Sequence, residues 1–468
     1  MTAMGNRVAD RVVLLGGSMC GLLAARVLAD AFAEVVIVDR DDLTDVTGPR
    51  RGVPHGRHAH GLVARGHQIL EGHFPGLTEQ MRAAGVEPGD FNGDIRWYVN
   101  GRRLKPSRSG LVSVPATRPV LEHHVRRRVQ NIPNVVFMEG YDVAGLATTP
   151  DGDTVTGARI QRRTEGSREE VLDADLVIDA TGRGSRTPAW LADLGYARPE
   201  EERVTIGLAY TTRHYRLRSD PFGDDLAIIP APTPDHPRGA FFYKLPGYGG
   251  RIELSLTGML GDHPPADPEG FEAFARSLPV PEIYEAIRDA EPLDDPVSFR
   301  FPASVWRHYE RLGRFPERLL VMGDAVCSFN PLYAQGMTVT ALESLTLRRH
   351  LASGRLPRPA AFFRDVAANV RGPWEFSAGA DLGYPGVEGR RTPRTRLANA
   401  YVARLQSAAV HDARLGDAFI RAAGLIDPPQ ALLRPANVTR VLRHMWRRPA
   451  EDDAGTRAVR QSDAVADV

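Results

Sequence analysis

Leu319–Arg349 reads LLVMGDAVCSFNPLYAQGMTVTALESLTLRR, a short apolar run, a Gly/Pro-bearing loop and then a helical pattern. Gly323-Asp324 makes a turn after the apolar run. Val339, Leu342, Leu345 and Leu347 give a helix from about Gly336, with no Gly or Pro inside it. A loop that runs onto a helix N-terminus offers unpaired backbone N–H groups and the positive end of a dipole. The chemistry this suits is stabilisation of an electron-rich ring that gains negative charge. Asp324, fixed by the turn, is placed to accept hydrogen bonds from ligand hydroxyls. Taken alone, the stretch is equally an ordinarily capped strand–turn–helix.

Two further segments have the same design. Arg11–Leu15 is a β-rich run followed by Gly16-Gly17-Ser18-Met19-Cys20-Gly21, a helix through Ala29, and a second apolar run, Glu34–Val38, ending in Asp39. Gly16, Ser18 and Gly21 hold the three glycine places of a dinucleotide fingerprint, and Asp39 stands 18 residues beyond Gly21, where a ribose-binding acid belongs. Gly16 permits the tight turn, and Gly21 lets helix pack on strand. The Ser18 hydroxyl can donate to a phosphate. In Asp173–Trp190, a buried run (Leu176–Ile178) passes into Asp179-Ala180-Thr181-Gly182 and a glycine-rich turn. Three strand-end loops therefore converge on one crevice, the place where α/β sheets bind ligands. The basic segment Pro49–His60, PRRGVPHGRHAH, lacks a Cys or carboxylate spaced to complete a zinc site, so no metal is expected. It reads as a loop lying on an anionic cofactor, with Arg57 as the leading contact.

The elements that position these loops follow. His67–Ala84 and Thr117–Val129 read as helices, the second carrying Arg118 at its entry, and Trp97–Lys105 reads as a hairpin around Asn100-Gly101. Val135–Glu139, Gly157–Gln161 and Leu172–Ile178 read as strands. Val204–Pro302 alternates apolar with polar, as an antiparallel sheet with one covered face does. Within it Tyr210, Phe241, Phe242 and Tyr243 line an apolar cavity or fill the core. Pro359–Val370, Arg394–Ala423 and Val438–Trp446 are helical in pattern, and Arg447–Val468 reads as a flexible tail. The expected class is α/β. A discontinuous Rossmann-like domain (1–75, 115–195, 303–373) is interrupted by a mainly antiparallel substrate sheet (76–114, 196–302), and a helical C-terminal region (374–446) follows.

The chain's 468 residues carry 25% charged side chains and a net charge of +1, so no global field points to nucleic acid. Lys105 and Lys244 are its only lysines, and Cys20 and Cys327 its only cysteines. With no disulfide framework, leader or membrane-length apolar run, the expected setting is a reducing cytoplasm, without stable membrane insertion.

GGSMCG with Asp39, DATGRGS, and GDAVCSFNPLYAQGMT together resemble the three FAD motifs of the p-hydroxybenzoate-hydroxylase-like (group A) flavoprotein monooxygenases, over Arg11–Arg349. The PRRGVPHGRHAH loop and the C-terminal half look most like actinobacterial natural-product members, among them polyene epoxidases of lasalocid- and monensin-type polyether assembly. The resemblance implies that Gly16, Ser18, Met19, Cys20 and Gly21 hold the FAD pyrophosphate and Asp39 its adenosine ribose. Arg40, Arg57, Arg118, Thr181 and Gly182 would join the cofactor site, and Asp324 would bind the ribityl chain or pyrophosphate. Pro331 would sit beside the isoalloxazine, with Gly336, Met337 and Thr338 presenting N–H groups to its pyrimidine edge. Thr181-Gly182 departs from the DG dipeptide that many aromatic hydroxylases carry for NADPH handling.

The implied reaction is capture of O2 by reduced FAD as a C4a-hydroperoxide. One oxygen would then pass to an alkene, giving an epoxide, or to another electron-rich carbon of a polyketide or polyene. No second nucleotide fingerprint appears, so electrons come from transiently bound NAD(P)H or from a partner flavin reductase. Oxygen transfer to an alkene needs no side-chain nucleophile, so no catalytic residue is assigned. His58 and His60 are proton donors or satisfied structural histidines. Two rivals use the same scaffold. One is a redox-neutral cyclase with structural FAD. The other is a flavin halogenase, which should carry a WxWxIP segment, absent here, and a catalytic lysine.

Overall fold

The computed structural model describes residues 7–446. The tail expected after residue 446 lies outside the described residues. Near the N-terminus, Ala9–Leu15 and Phe32–Asp39 pair in parallel around the Met19–Leu28 helix. They form the centre of a five-stranded sheet, whose order is Leu319–Val321, Leu176–Asp179, Ala9–Leu15, Phe32–Asp39, Val135–Glu139. Every pairing in it is parallel. Val12–Leu15 and Leu176–Ile178 are continuous apolar runs because both faces are covered. The Met19–Leu28 and Gly336–Leu351 helices cover one face. A three-stranded antiparallel sheet (Tyr141–Thr148, Val155–Arg162, Glu169–Asp173) covers the other, bringing Val155 and Ile160 against Val13, Leu15 and Val177.

The second large sheet is mainly antiparallel. Its long members, Val297–Arg307, Glu201–Arg216, Arg251–Gly258 and Arg238–Lys244, are neighbours in that order, and Ala227–Ala231 joins Ile95–Val99 in parallel at the far end. The hairpin at Asn100-Gly101 is present, with both residues at positive φ (50° and 68°), as its two-residue turn demands. One face of this sheet packs against two helices, Pro268–Arg276 and Pro281–Ile287, through Phe242, Leu254 and Leu256 against Phe271, Phe274 and Ile283. The alternation reading left these helices out. Each is under three turns long and opens on Pro, and Asp267 caps the first by accepting from Gly270 N–H at 2.7 Å.

Four helix expectations change. The helix over 67–84 is two helices, Ala64–His73 and Leu77–Ala83, broken at Pro75-Gly76, where Gly76 has φ 79°. The helix expected to end near Val370 runs from Pro359 through Pro373 to Asp381. The helix expected over 394–423 divides into Pro393–Ala409 and Ala413–Ala423, because Asp412 accepts from Arg414 N–H and starts a new N-terminus. The last helix, Pro435–Trp446, starts three residues early. Among the described residues no helix is long and apolar enough to cross a membrane.

Candidate functional site

The turn after Ala9–Leu15 is set by sterics. Gly16 has φ 107°, and a Cβ there would lie 2.6 Å from the Ala180 carbonyl oxygen; a Cβ on Gly21 would collide with the Gly16 carbonyl. Ser18 is the N-cap of Met19–Leu28, yet its side chain caps nothing. Its hydroxyl donates to Glu122 Oε2 (3.1 Å) and accepts from Arg118 Nη2 (2.7 Å). The first-turn N–H groups of the helix therefore have no side-chain partner, which is the anion-binding arrangement. Asp39 ties strand end to turn, with Oδ2 accepting from Gly17 N–H (2.6 Å) and Oδ1 from Asp41 N–H (2.9 Å).

Glu122 is the hub beside this turn. Arg50, Arg118 and Arg126 contact it at 2.6, 3.1 and 3.2 Å, and Arg50 also reaches Asp41 at 3.1 Å. Burial opposes its ionisation, but Arg118, Arg50 and Arg126 outweigh that and hold its pKa below the ordinary value. Arg50, Arg118, Glu122 and Arg126 line one cleft together with Gly48, Pro49 and Gly56. The three guanidiniums face three carboxylates, since Arg50 also lies 3.6 Å from Asp39 and 3.1 Å from Asp41. It is Arg118 that extends past Glu122 to the Ser18 hydroxyl at the turn, placed to meet a phosphate. Arg50 is thus the arginine of the basic loop that the fold buries, whereas Arg57 and Arg40 are exposed. Arg50 went unrecognised because its partner Glu122 lies 72 residues away.

The second and third loops meet the first. Asp179 accepts from the Thr181 amide (2.9 Å) and from the hydroxyls of Thr181 (2.6 Å), Ser185 (2.5 Å) and Thr187 (2.6 Å), so the DATGRGS turn is rigid. A Cβ on Gly182 would lie 4.0 Å from Asp324 Cβ, and one on Gly323 (φ 65°) 2.9 Å from Cys20 Sγ. Burial raises the Asp324 pKa above the ordinary carboxylate value, opposed by Arg118, Arg183 and Arg307. Beneath the turn, Glu343 on the Gly336–Leu351 helix accepts the Gly323 N–H at 2.6 Å.

Beyond Asp324 the chain forms the Pro331–Gln335 loop. Asn330 accepts from Leu332 N–H, and its amide donates to both oxygens of Asp381 at 3.0 and 3.1 Å; the Tyr333 hydroxyl joins at 2.9 Å. Asp381 thus pins the loop from the distant Pro359–Asp381 helix. Burial pushes its carboxyl up to about 7. The sequence shows no signal for this role. Gly336, Met337 and Thr338 begin the next helix, whose N-cap, Gln335, makes no side-chain cap. Among the described residues, Thr338 Oγ1 and Gln335 Oε1 are buried without a partner. Unpaired donors at two helix starts, beside glycines that admit no side chain, are what a dinucleotide carrying a ring system requires.

The antiparallel sheet brings its free face to this loop. Tyr210 pairs with Thr257, Phe241 with Ser255 and Tyr243 with Glu253 across adjacent strands, which places three of the four aromatics singled out in the sequence on one face. The Tyr210 and Phe241 rings stack at 6.4 Å, and Tyr243 and Phe241 cluster with Ala334 of the loop. Phe242 faces the other way and stacks on Phe222 at 4.8 Å, so it belongs to the core. His58 lies on the free face, between Tyr210 (6.1 Å) and Phe299 (5.6 Å).

A parallel sheet with a glycine cradle, uncapped helix starts and an inserted antiparallel sheet define the class: a flavoenzyme with the fold of the FAD-dependent monooxygenases. The chain belongs to the FAD binding domain family, whose model matches residues 10–354. It is similar to Protein Rv3254 of Mycobacterium tuberculosis (strain ATCC 25618 / H37Rv), at 34% identity over 448 residues, 91% of this chain and 92% of the relative. Among solved structures it shares its fold with the p-nitrophenol 4-monooxygenase PnpA from Pseudomonas putida DLL-E4, with TM-score 0.61 and 15% identity over 90% of this chain and 98% of that one. It likewise resembles the flavin-dependent brominase Bmp2, with TM-score 0.62 and 15% identity over 89% and 94%.

Proposed function

We propose that the protein transfers one oxygen atom of O2 to an alkene, giving an epoxide, or to another electron-rich carbon of an apolar polyketide-type substrate. The observation that carries this reading is the junction between the aromatic face (Tyr210, Phe241, Tyr243) and the Pro331–Gln335 loop with its uncapped helix start. FAD, once bound and reduced, supplies the activation of O2. The chain's own groups do the rest. The N–H groups of Met19, Cys20 and Gly21, with Ser18, Arg118 and Arg50, hold the phosphates; Asp39 and Asp324 take sugar and ribityl hydroxyls, beside Thr181 and Gly182. Gly336, Met337 and Thr338 would present N–H groups to a bound ring that gains negative charge, and Pro331 would belong to the loop that holds it. Tyr210, Phe241 and Tyr243 orient the substrate and exclude water.

Electrons come from NAD(P)H or a partner flavin reductase, and the setting is the cytoplasm. The lysines favour oxygenation over halogenation. Lys244 donates to the Gly223 carbonyl (2.8 Å) and faces Asp220 (3.4 Å) and the Phe222 and Tyr248 rings, away from the FAD loops. The test is incubation of FAD-loaded protein with reductant, 18O2 and a panel of polyenes. Label in the product, with one O2 consumed per turnover, is expected. Turnover without O2 or reductant means a redox-neutral cyclase, and bromide-dependent product means a halogenase; either result overturns the proposal.

A further inference from the structure

The free face of the antiparallel sheet carries a line of polar side chains in an otherwise apolar setting. In the register of Glu201–Arg216 with Arg251–Gly258, Thr212 lies opposite Ser255 and His214 opposite Glu253. Strand alternation puts all four on the face that bears Tyr210. The contacts run without a break. His58 Nδ1 lies 2.8 Å from Thr212 Oγ1, Thr212 Oγ1 lies 2.5 Å from Ser255 Oγ, and Ser255 donates to Glu253 Oε1 at 3.0 Å. Glu253 Oε2 lies 3.4 Å from His214 Nε2, and His214 Nδ1 lies 2.6 Å from Asp294 Oδ2. His58, Thr212, Ser255 and Glu253 are buried, whereas the Asp294 side chain is 43% exposed. The line therefore runs from a sealed interior to water.

Its polarity is fixed by its members. A carboxylate can only accept, so Ser255 donates to Glu253. The Ala59 N–H already donates to Ser255 Oγ at 3.0 Å, so Thr212 gives its hydroxyl proton to Ser255 and takes one from His58. His58 is thereby held as the Nδ1–H tautomer, with Nε2 carrying a lone pair. Nε2 makes no hydrogen bond among the described residues. We propose that His58, Thr212, Ser255, Glu253 and His214 form a proton relay joining the site to solvent, with His58 Nε2 as its inner, proton-accepting end. Burial, with Arg57 and His214 as nearby cations, pushes the His58 imidazole down to about 4, so it enters the cycle neutral. The groups around His58 are Arg57, His55 and His60 on its own loop and Tyr210, Thr212 and His214 from the sheet. Tyr243 flanks Glu253. His214 is pushed up to about 9: burial works against its charge, and Asp294 and Glu253 outweigh it.

The step conserves atoms and electrons. A bound molecule's acidic O–H or N–H gives its proton to Nε2. The Nδ1–H bond then breaks as Thr212 gains that proton, Thr212 passes its own to Ser255, and Ser255 passes its own to Glu253. The imidazolium of His214 releases one proton to water beside Asp294 and is refilled from Glu253. One proton leaves the site for solvent, and His58 is left as the Nε2–H tautomer with the Thr212 and Ser255 hydroxyls reversed. Tautomer exchange at His58 with rotation of both hydroxyls restores the starting state; nothing is oxidised or reduced. The inference rests on the oxygen-transfer reading only for the molecule at the inner end, and its test needs no turnover.

The measurement is 15N-histidine NMR on the FAD-loaded protein. His58 is expected as the Nδ1–H tautomer from pH 6 to pH 9, with a water-exchange cross-peak at Nδ1–H. Thr212→Val, close to isosteric and suited to a strand, is expected to abolish that cross-peak while the FAD spectrum stays native. Glu253→Gln, which keeps an acceptor for Ser255 but cannot take the proton, is expected to abolish it too, with the tautomer retained. An Nε2–H tautomer in the wild type, or an unchanged cross-peak in both variants, overturns the relay. Failure to incorporate 18O would leave these spectra unchanged, so the two readings fail separately.

Discussion

Glu343 offers the sharpest test of the site's electrostatics. It is fully buried, its Oε2 holds the Gly323 N–H at 2.6 Å, and its Oε1 has no partner among the described residues. Burial, with Asp324 adding repulsion, pushes its pKa up to about 8, against the lowering effect of the Gly323 N–H. A carboxyl raised in the folded state above its unfolded value of about 4.3 binds its proton more tightly when folded. Its contribution to stability is full below that unfolded value and is lost as pH rises through 8. Over the interval from pH 6 to pH 9 the linkage relation makes the loss about 3 kcal/mol. Glu343→Gln keeps the shape and the acceptor for Gly323 but cannot ionise. Urea unfolding of wild type and variant across that interval is the assay. The wild type should lose about 3 kcal/mol more than the variant as the pH rises. Parallel stability profiles for the two proteins would refute the reasoning, because a solvated or ion-paired Glu343 gives no such difference.

Gly21→Val drives a branched side chain into the Gly16 backbone carbonyl, which cannot move aside; colourless or aggregated protein is expected, and a normal flavin spectrum would count against the cradle. Asp324→Ala should weaken FAD retention through dialysis, measured by absorbance of the retained flavin, because the carboxylate beside Gly182 and Gly336 is lost; undiminished colour would remove Asp324 from the site. Asp381→Ala strands the Asn330 amide and the Tyr333 hydroxyl and should cost about 2–5 kcal/mol, with faster hydrogen exchange at Leu332 and Tyr333; protection equal to wild type would show the loop is held by something else.

What the sequence revealed and what it withheld divide along the range of the interactions. The cradle at Gly16–Gly21, the end of the second strand at Asp39, the turn at Gly323-Asp324 and the helix from Gly336 are local, each set by a few neighbouring residues. Asp381 reaches Asn330 across 51 residues, and Arg50 reaches Glu122 across 72, with no spacing rule to announce either. Alternation placed Tyr210 and Thr212 on one face but not the register that sets Thr212 against Ser255, since register is decided by turns and packing elsewhere in the sheet. The Pro268–Arg276 and Pro281–Ile287 helices escaped because a seven- to nine-residue segment samples barely two helical periods.

The buried acids resolve a difficulty that the proposed chemistry creates. A ring that takes up an electron pair is destabilised by carboxylates nearby, yet Asp324 and Glu343 both lie under the loop that would hold it. The two are neutralised by different means. Asp324 has Arg118, Arg183 and Arg307 around it, so its charge is offset through space. Among the described residues no cation acts on Glu343, and burial keeps its proton on at neutral pH, so it fixes the Gly323 amide without adding a charge. Glu343→Lys would therefore differ in kind from Glu343→Gln: it would bring a buried cation to the loop and lose the Gly323 contact. Only the neutral variant preserves the charge balance under the helix start at Gly336, on which the proposed stabilisation of the ring depends.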